Sequence, residues 1–213
     1  MTQSHRLDGL NLYALFYLVF LYGPVLLLPL FSFNNSIYVT FPLSGFTLDW
    51  YRQMVGNADL MGALGASVQV GICVAVISTI LGTLAAKAVT HYPIPGRATI
   101  VGFIMLPLVV PSLVLAIALL VVVRKFLDLE LSLVTVAAGH IMLCVPYSML
   151  VMISRFEGFD RSLEEAAADL GDRPWQTFAR ITLPLAWPGI VSSLLLCFSA
   201  SFDEYLVAAF MCG

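Results

Sequence analysis

Asp203 and Glu204 stand side by side in a run, Trp187 to Cys212, that carries no other charge. A carboxylate is costly in apolar surroundings and persists there only against a cation, a polar partner or a wet cavity. Such a pair can bind a cationic solute, couple protons or select ions. It can equally be satisfied by Ser199, Ser201 or a second polypeptide and serve packing or gating. His140 lies in another charge-free run with no accompanying ligands, and it reads as a hydrogen-bonded structural histidine near one end of its helix. Cys73, Cys144, Cys197 and Cys212 all lie in apolar runs at neither metal-ligand nor disulfide-framework spacing, so they read as small apolar fillers. No catalytic residue and no metal site emerges from these types and spacings.

The elements that must carry these residues are membrane helices. The chain of 213 residues is 60% hydrophobic and 11% charged, against roughly 25% charged residues in a soluble domain. Apolar runs define five spans at about 10–33, 60–86, 98–123, 131–154 and 187–212, each reaching the ~20 residues that cross a hydrocarbon core. A soluble core fails as an alternative, because five such segments have almost no polar face to offer water. The first run is longer than the apolar region of a secretory signal and lacks a small-residue cleavage site, so it reads as a retained span. Backbone amides find no partner in hydrocarbon, and runs this continuous are helices rather than barrel strands.

With the amino terminus in the cytoplasm, the inner segments hold Arg6, Lys87, Arg97, Arg155, Arg161, Arg173 and Arg180, and the outer loops hold Arg52, Arg124 and Lys125. That asymmetry fits the positive-inside rule. Phe46, Trp50 and Tyr51 suit the outer headgroup level. A net charge of −3 without a basic cluster leaves no footprint for nucleic acid. In the second span Gly71, Ala75, Ser78, Gly82 and Ala86 form a stripe of small residues on which another helix can pack closely. Pro107, Pro111 and Pro146 are expected to bend or loosen the third and fourth spans.

Between the fourth and fifth spans, residues 155–186 form the most charged stretch of the chain. Ser162 and Glu165 make a capping-box pattern at the start of a short helix. Leu163, Ala166, Ala167 and Leu170 then place one narrow apolar stripe on it. Gly171 suits the left-handed position that ends this helix, and Asp172-Arg173-Pro174 starts a second one running toward Ile181. Pro184 and Pro188 are expected to punctuate the way into the fifth span.

The series Glu165, Ala166, Ala167, Gly171, Ile181, Leu183 and Pro184, at these spacings, resembles the EAA loop of ATP-binding-cassette (ABC) importer permeases. Seven fixed positions recur by chance on the order of once in 10^8 starts at average frequencies. Phe46 to Arg52 (FTLDWYR), Pro93 to Arg97 (PIPGR) and Ser201 to Tyr205 (SFDEY) extend the likeness, which is greatest toward the second permease of spermidine/putrescine importers.

The resemblance implies an all-α, polytopic helical bundle of the type I ABC importer permease kind, as one transmembrane domain over residues 1–213 in a bacterial inner membrane. It implies that the short helix docks on a cytoplasmic ATPase dimer through Glu165, Ala166, Ala167 and Leu170, with Gly171, Ile181, Leu183 and Pro184 completing the loop. The partners implied are a second permease subunit, that ATPase dimer, a periplasmic solute-binding protein and membrane lipid. The chain carries no G-x-x-x-x-G-K-[ST] phosphate loop, so ATP and Mg are assigned to the ATPase and no cofactor to this chain. The expected solute is a polyamine, putrescine or spermidine, with Asp203 and Glu204 on its path. Iron, thiamine or a phosphonate on the same permease class is the alternative, and a secondary transporter is a more distant one. The family has six spans and the sequence holds five, so a sixth is expected beyond Gly213.

Overall fold

The computed structural model describes residues 9–212; Arg6, counted above on the inner side, lies outside them. Among the described residues the chain is helical, and the isolated antiparallel pairing of Asn34 with Phe46 is the one bridge outside helices. It divides into two compact units, residues 1–63 and 64–213.

In the first unit, α1 (Gly9–Ser32) is apolar on every face and buries no residue, as expected of a helix whose solvent is lipid. A loop follows and turns around Asn34, whose Oδ1 accepts from the Ser44 amide at 3.0 Å. The backbone oxygen of Asn34 accepts from the Trp50 indole at 2.9 Å. Trp50 and Tyr51 stand on the short helix α2 (Asp49–Gly56). The next helix, α3 (Ala58–His91), begins in this unit and runs on through the second.

Within the second unit, the predicted small-residue stripe of α3 is its buried face: Gly71, Ala75, Ser78, Gly82 and Ala86 are all covered. A Cβ at Gly82 would collide with the Ser148 side chain and lie 2.8 Å from the Met149 amide of α6 (Leu133–Glu157). At Gly71 it would lie 3.0 Å from the Phe198 ring of α9 (Leu183–Asp203). Thr79 and Ser193 hydroxyls meet at 3.1 Å, and Ser193 donates to Ser148 at 2.7 Å, which joins α3, α9 and α6 by hydroxyl groups at the positions of closest approach. Cys144 and Cys197 each direct a thiol at the other's backbone oxygen, at 3.7 and 3.5 Å, across the α6–α9 contact.

The helices depart from the apolar runs in two places. The third run, 98–123, is bent at Pro111 as expected, sharply enough to break the helix. It is α4 (Arg97–Val109) and α5 (Ser112–Val121), the latter continuing through a π-helical turn at Val122–Phe126, and the chain bends by 102° between them. The cause is local: Pro111 has no amide to donate, and Val110 before it takes the extended ψ of 130° that a following proline imposes.

The helix that carries the fifth apolar run starts well before Trp187. A continuous helical stretch runs from Pro174 through α8 (Pro174–Thr177) and a π-helical turn, Phe178–Thr182, into α9. Pro184 and Pro188 leave it unbroken. The carbonyl that the Pro184 ring would strike, that of Arg180, lies in the widened turn. This helix stops at Asp203, and α10 (Tyr205–Met211) follows after the single residue Glu204.

The close approach at Gly82 is directly testable. Gly82→Val should lower the thermal stability of the detergent-solubilised protein by about 1–3 kcal/mol through overpacking. Gly102→Val, where an added Cβ meets nothing within 4 Å, should leave it unchanged. The comparison is made by thermal melting of the two variants.

Candidate functional site

The charged connecting segment folds into α7 (Ser162–Asp169) between α6 and α8. The predicted capping box is not formed. Ser162 is the first residue inside the helix, and its amide donates instead to Asp160 Oδ1 at 3.0 Å, which leaves Glu165 outside the cap and exposed. The two hydrogen bonds from Ser162 hold the Asp160 carboxyl below its ordinary range.

The far end closes as a Schellman motif. Gly171 donates to Ala168 O at 2.9 Å and Asp172 to Ala167 O at 3.1 Å, with Gly171 at φ 89°, a conformation that L side chains rarely adopt. Of the stripe expected to fill a partner's cleft, Ala167 is turned into this chain and only 6% exposed, because α7 packs on α8 and on the Phe178–Thr182 turn. Leu170 is 90% exposed, and Glu165 and Ala166 also face outward. Ile181 is half-buried in the Phe178–Thr182 turn, whereas Leu183 and Pro184 open α9 and are exposed.

A group that the motif does not contain stands at the centre of this segment. Glu164 Oε1 lies 3.2 Å from Lys87 Nζ and also accepts from the Thr182 hydroxyl. Its Oε2 lies 3.2 Å from His91 Nε2 without a hydrogen bond, and burial holds the His91 imidazole below its ordinary value of 6.5, so the contact is not an ion pair at neutral pH. Lys87 bonds Thr182 at 3.2 Å as well and sits 4.9 Å from the centre of the Phe178 ring. Nearby, Arg161 donates to the Thr90 carbonyl at 2.6 Å. The one signal in the sequence is that Lys87 and His91 are four residues apart, hence on one face of a helix.

Asp203 and Glu204 sit at the helix break. Glu204 Oε1 accepts from the Leu206 and Val207 amides at 3.1 and 3.2 Å, capping α10, so one of the two carboxylates has a structural task. Both line a cavity of about 360 Å³ together with Ser112, His140, Tyr147 and Ser201, a volume within the range of small-molecule sites. His140 is 3% exposed; its Nδ1 is 2.9 Å from Ser201 Oγ, while its Nε2 is buried with no partner. The two sequence-derived sites thus lie on different parts of the second unit. Pro107 also lines this cavity. Among the described residues no cluster of three or more metal-ligating side chains is present.

Burial opposes ionisation of Glu164, but the Thr182 hydroxyl and the Lys87 ammonium outweigh it and hold the carboxyl below its ordinary value of 4.5. A depressed folded pKa means that these contacts stabilise fully above about pH 4.5 and are lost as pH falls through the lower folded value. Melting curves between pH 6 and pH 3 should therefore show a loss of stability for the native chain that is smaller in Glu164→Gln, which has no carboxylate to protonate.

Comparison with known proteins gives a consistent result. Residues 78–213 match the family described as "Binding-protein-dependent transport system inner membrane component". The putrescine transport system permease protein PotI of Escherichia coli (strain K12) is 34% identical over 200 residues, which cover 91% of this chain and 71% of that protein. The spermidine/putrescine transport system permease protein PotC of the same strain is 32% identical over 194 residues, covering 91% and 73%. PotC of Haemophilus influenzae is 33% identical over 194 residues, covering 91% and 75%. Among solved structures, a bacterial ABC transporter involved in the import of the acidic polysaccharide alginate superposes with a TM-score of 0.60 at 18% identity, covering 100% of this chain and 77% of that one.

Proposed function

This chain belongs to the binding-protein-dependent transport system inner membrane components, and we propose that the solute it carries as a permease subunit of an ABC importer is a polyamine. Members of this class work with a partner permease, an ATPase and a binding protein, and ATP hydrolysis lies in the separate ATPase subunit. On our reading the amino terminus is cytoplasmic, α7 docks on the ATPase through its exposed Glu165, Ala166 and Leu170, and ATP and Mg are handled there. Lipid covers α1, and nucleic acid is not a partner. The close permease relatives that name putrescine or spermidine support the substrate class.

The observation that carries the reading is the cavity at the break between α9 and α10. Asp203 and the free oxygen of Glu204 offer acceptors to an ammonium group, and charge-assisted hydrogen bonds relieve carboxylates held away from bulk water. His140 and Ser201, which bond each other, line the same cavity. A polyamine, with ammonium groups separated by apolar methylenes, is chemically suited to a site that joins acidic and hydroxyl groups to apolar flanks such as Leu108 and Leu143.

Reconstituted complexes should lose putrescine and spermidine uptake on Asp203→Asn with Glu204→Gln while keeping assembly. Unchanged uptake in the double variant would remove the pair from the path. Absence of polyamine uptake by the native complex, with iron, thiamine or a phosphonate carried instead, would reassign the solute. Failure of an ATPase to copurify with the native chain would favour a secondary transporter. Gly171→Val, which forces a β-branched residue into a left-handed position at about 1–2 kcal/mol, should cut uptake more than ATPase binding, read by parallel transport and pull-down assays.

A further inference from the structure

The docking helix has few ways to move the membrane helices. Its covalent links are the turns at 158–161 and 170–173, and its outward face is free. What ties it inward is Ala167, the Glu164 carboxylate and, at its N-cap, Arg161, which holds the Thr90 carbonyl of α3 but does not reach α9. That single carboxylate reaches two separate membrane elements, the end of α3 through Lys87 and the start of α9 through Thr182. Lys87 closes the triangle by bonding Thr182 itself. Side-chain exposures of 17% for Lys87 and 22% for Glu164 set the pair apart from the solvated Arg97–Glu157 pair at 4.0 Å, where they are 49% and 63%. A solvated pair of that kind holds little, whereas removing one member of a shielded pair strands the other.

We propose that the Glu164 carboxylate is the joint through which motion of α7 enters α3 and α9 together, with Glu164 and Lys87 as its positioning residues. This rests on the reading that α7 docks on the ATPase. Without the joint, α7 can still bind and be moved, but its displacement dissipates in the flanking turns. The variants should therefore separate ATP turnover from solute movement, which general destabilisation does not do.

The test uses the complete importer in proteoliposomes with its binding protein, measuring subunit stoichiometry, ATPase rate and solute taken up per ATP hydrolysed. Glu164→Gln and Lys87→Met should each assemble and hydrolyse ATP, while uptake per ATP falls about tenfold, an ordinary size for coupling between sites. The swap Lys87→Glu with Glu164→Lys should recover most of it, and Arg97→Gln should change nothing. If Glu164→Gln fails to assemble, Thr182→Val, which removes one hydroxyl and leaves the ions, carries the test and should lower the same ratio. Unchanged uptake per ATP in assembled single variants overturns the joint, and so does a swap that recovers nothing. Native chain that fails to retain the ATPase instead overturns the docking reading on which the joint depends.

Discussion

A chain that crosses hydrocarbon has no water to satisfy its backbone, so each amide and carbonyl must find a partner within the protein. Every helix interruption therefore needs a local remedy. At Val110 and Pro111 the remedy is the proline itself, which removes a donor where the chain turns through 102°. At Glu204 it is the side chain, whose carboxylate takes the two amides that open α10. The polar wall of the cavity follows from this second repair: the chain puts a carboxylate where a helix starts within an apolar run, and the space around the break is lined by Asp203, Ser201 and His140.

The same constraint governs packing. Lipid tails are as apolar as leucine, so membrane helices associate through close fit and hydrogen bonds rather than through escape from water. Here the fit comes from Gly71 against Phe198, Gly82 against Ser148, Gly139 against Val207 and Gly189 against Arg155. The hydrogen bonds come from Thr79, Ser148 and Ser193. Arg155 also donates to the Leu185 carbonyl at 2.7 Å, so that a residue packed over Gly189 is held by the same helix it packs on.

Much of this was legible in the sequence because it depends on local pattern. The α3 stripe follows from four-residue spacing of small residues, the Gly171 turn from the tolerance of glycine for positive φ, and the membrane setting from charge-free runs. What was not legible depends on contacts between distant segments. The shared carboxylate at Glu164 joins residues 77 and 18 positions away, and no local spacing announces it. The neighbouring Glu165 drew the functional reading through the motif, although the structure leaves it outside the polar network. The missing capping box has a different cause: Asp160 takes the Ser162 amide that the Glu165 side chain would otherwise accept from, and propensity at one position cannot reveal such competition. Likewise Pro184 reads as a stop until the π-helical turn ahead of it supplies room.

The length of α3 carries a further consequence. Its 34 residues extend roughly 51 Å at 1.5 Å each, whereas the hydrocarbon of a bilayer is about 30 Å thick. The helix must tilt or project past the lipid tails, and its Lys87–His91 turn follows directly on the apolar run 60–86. A network at the end of such a run is brought toward the headgroups, where ions and lipid phosphates compete for the same charges. Membrane thickness and headgroup charge become variables of the protein's own mechanics, set by the bilayer in which it resides.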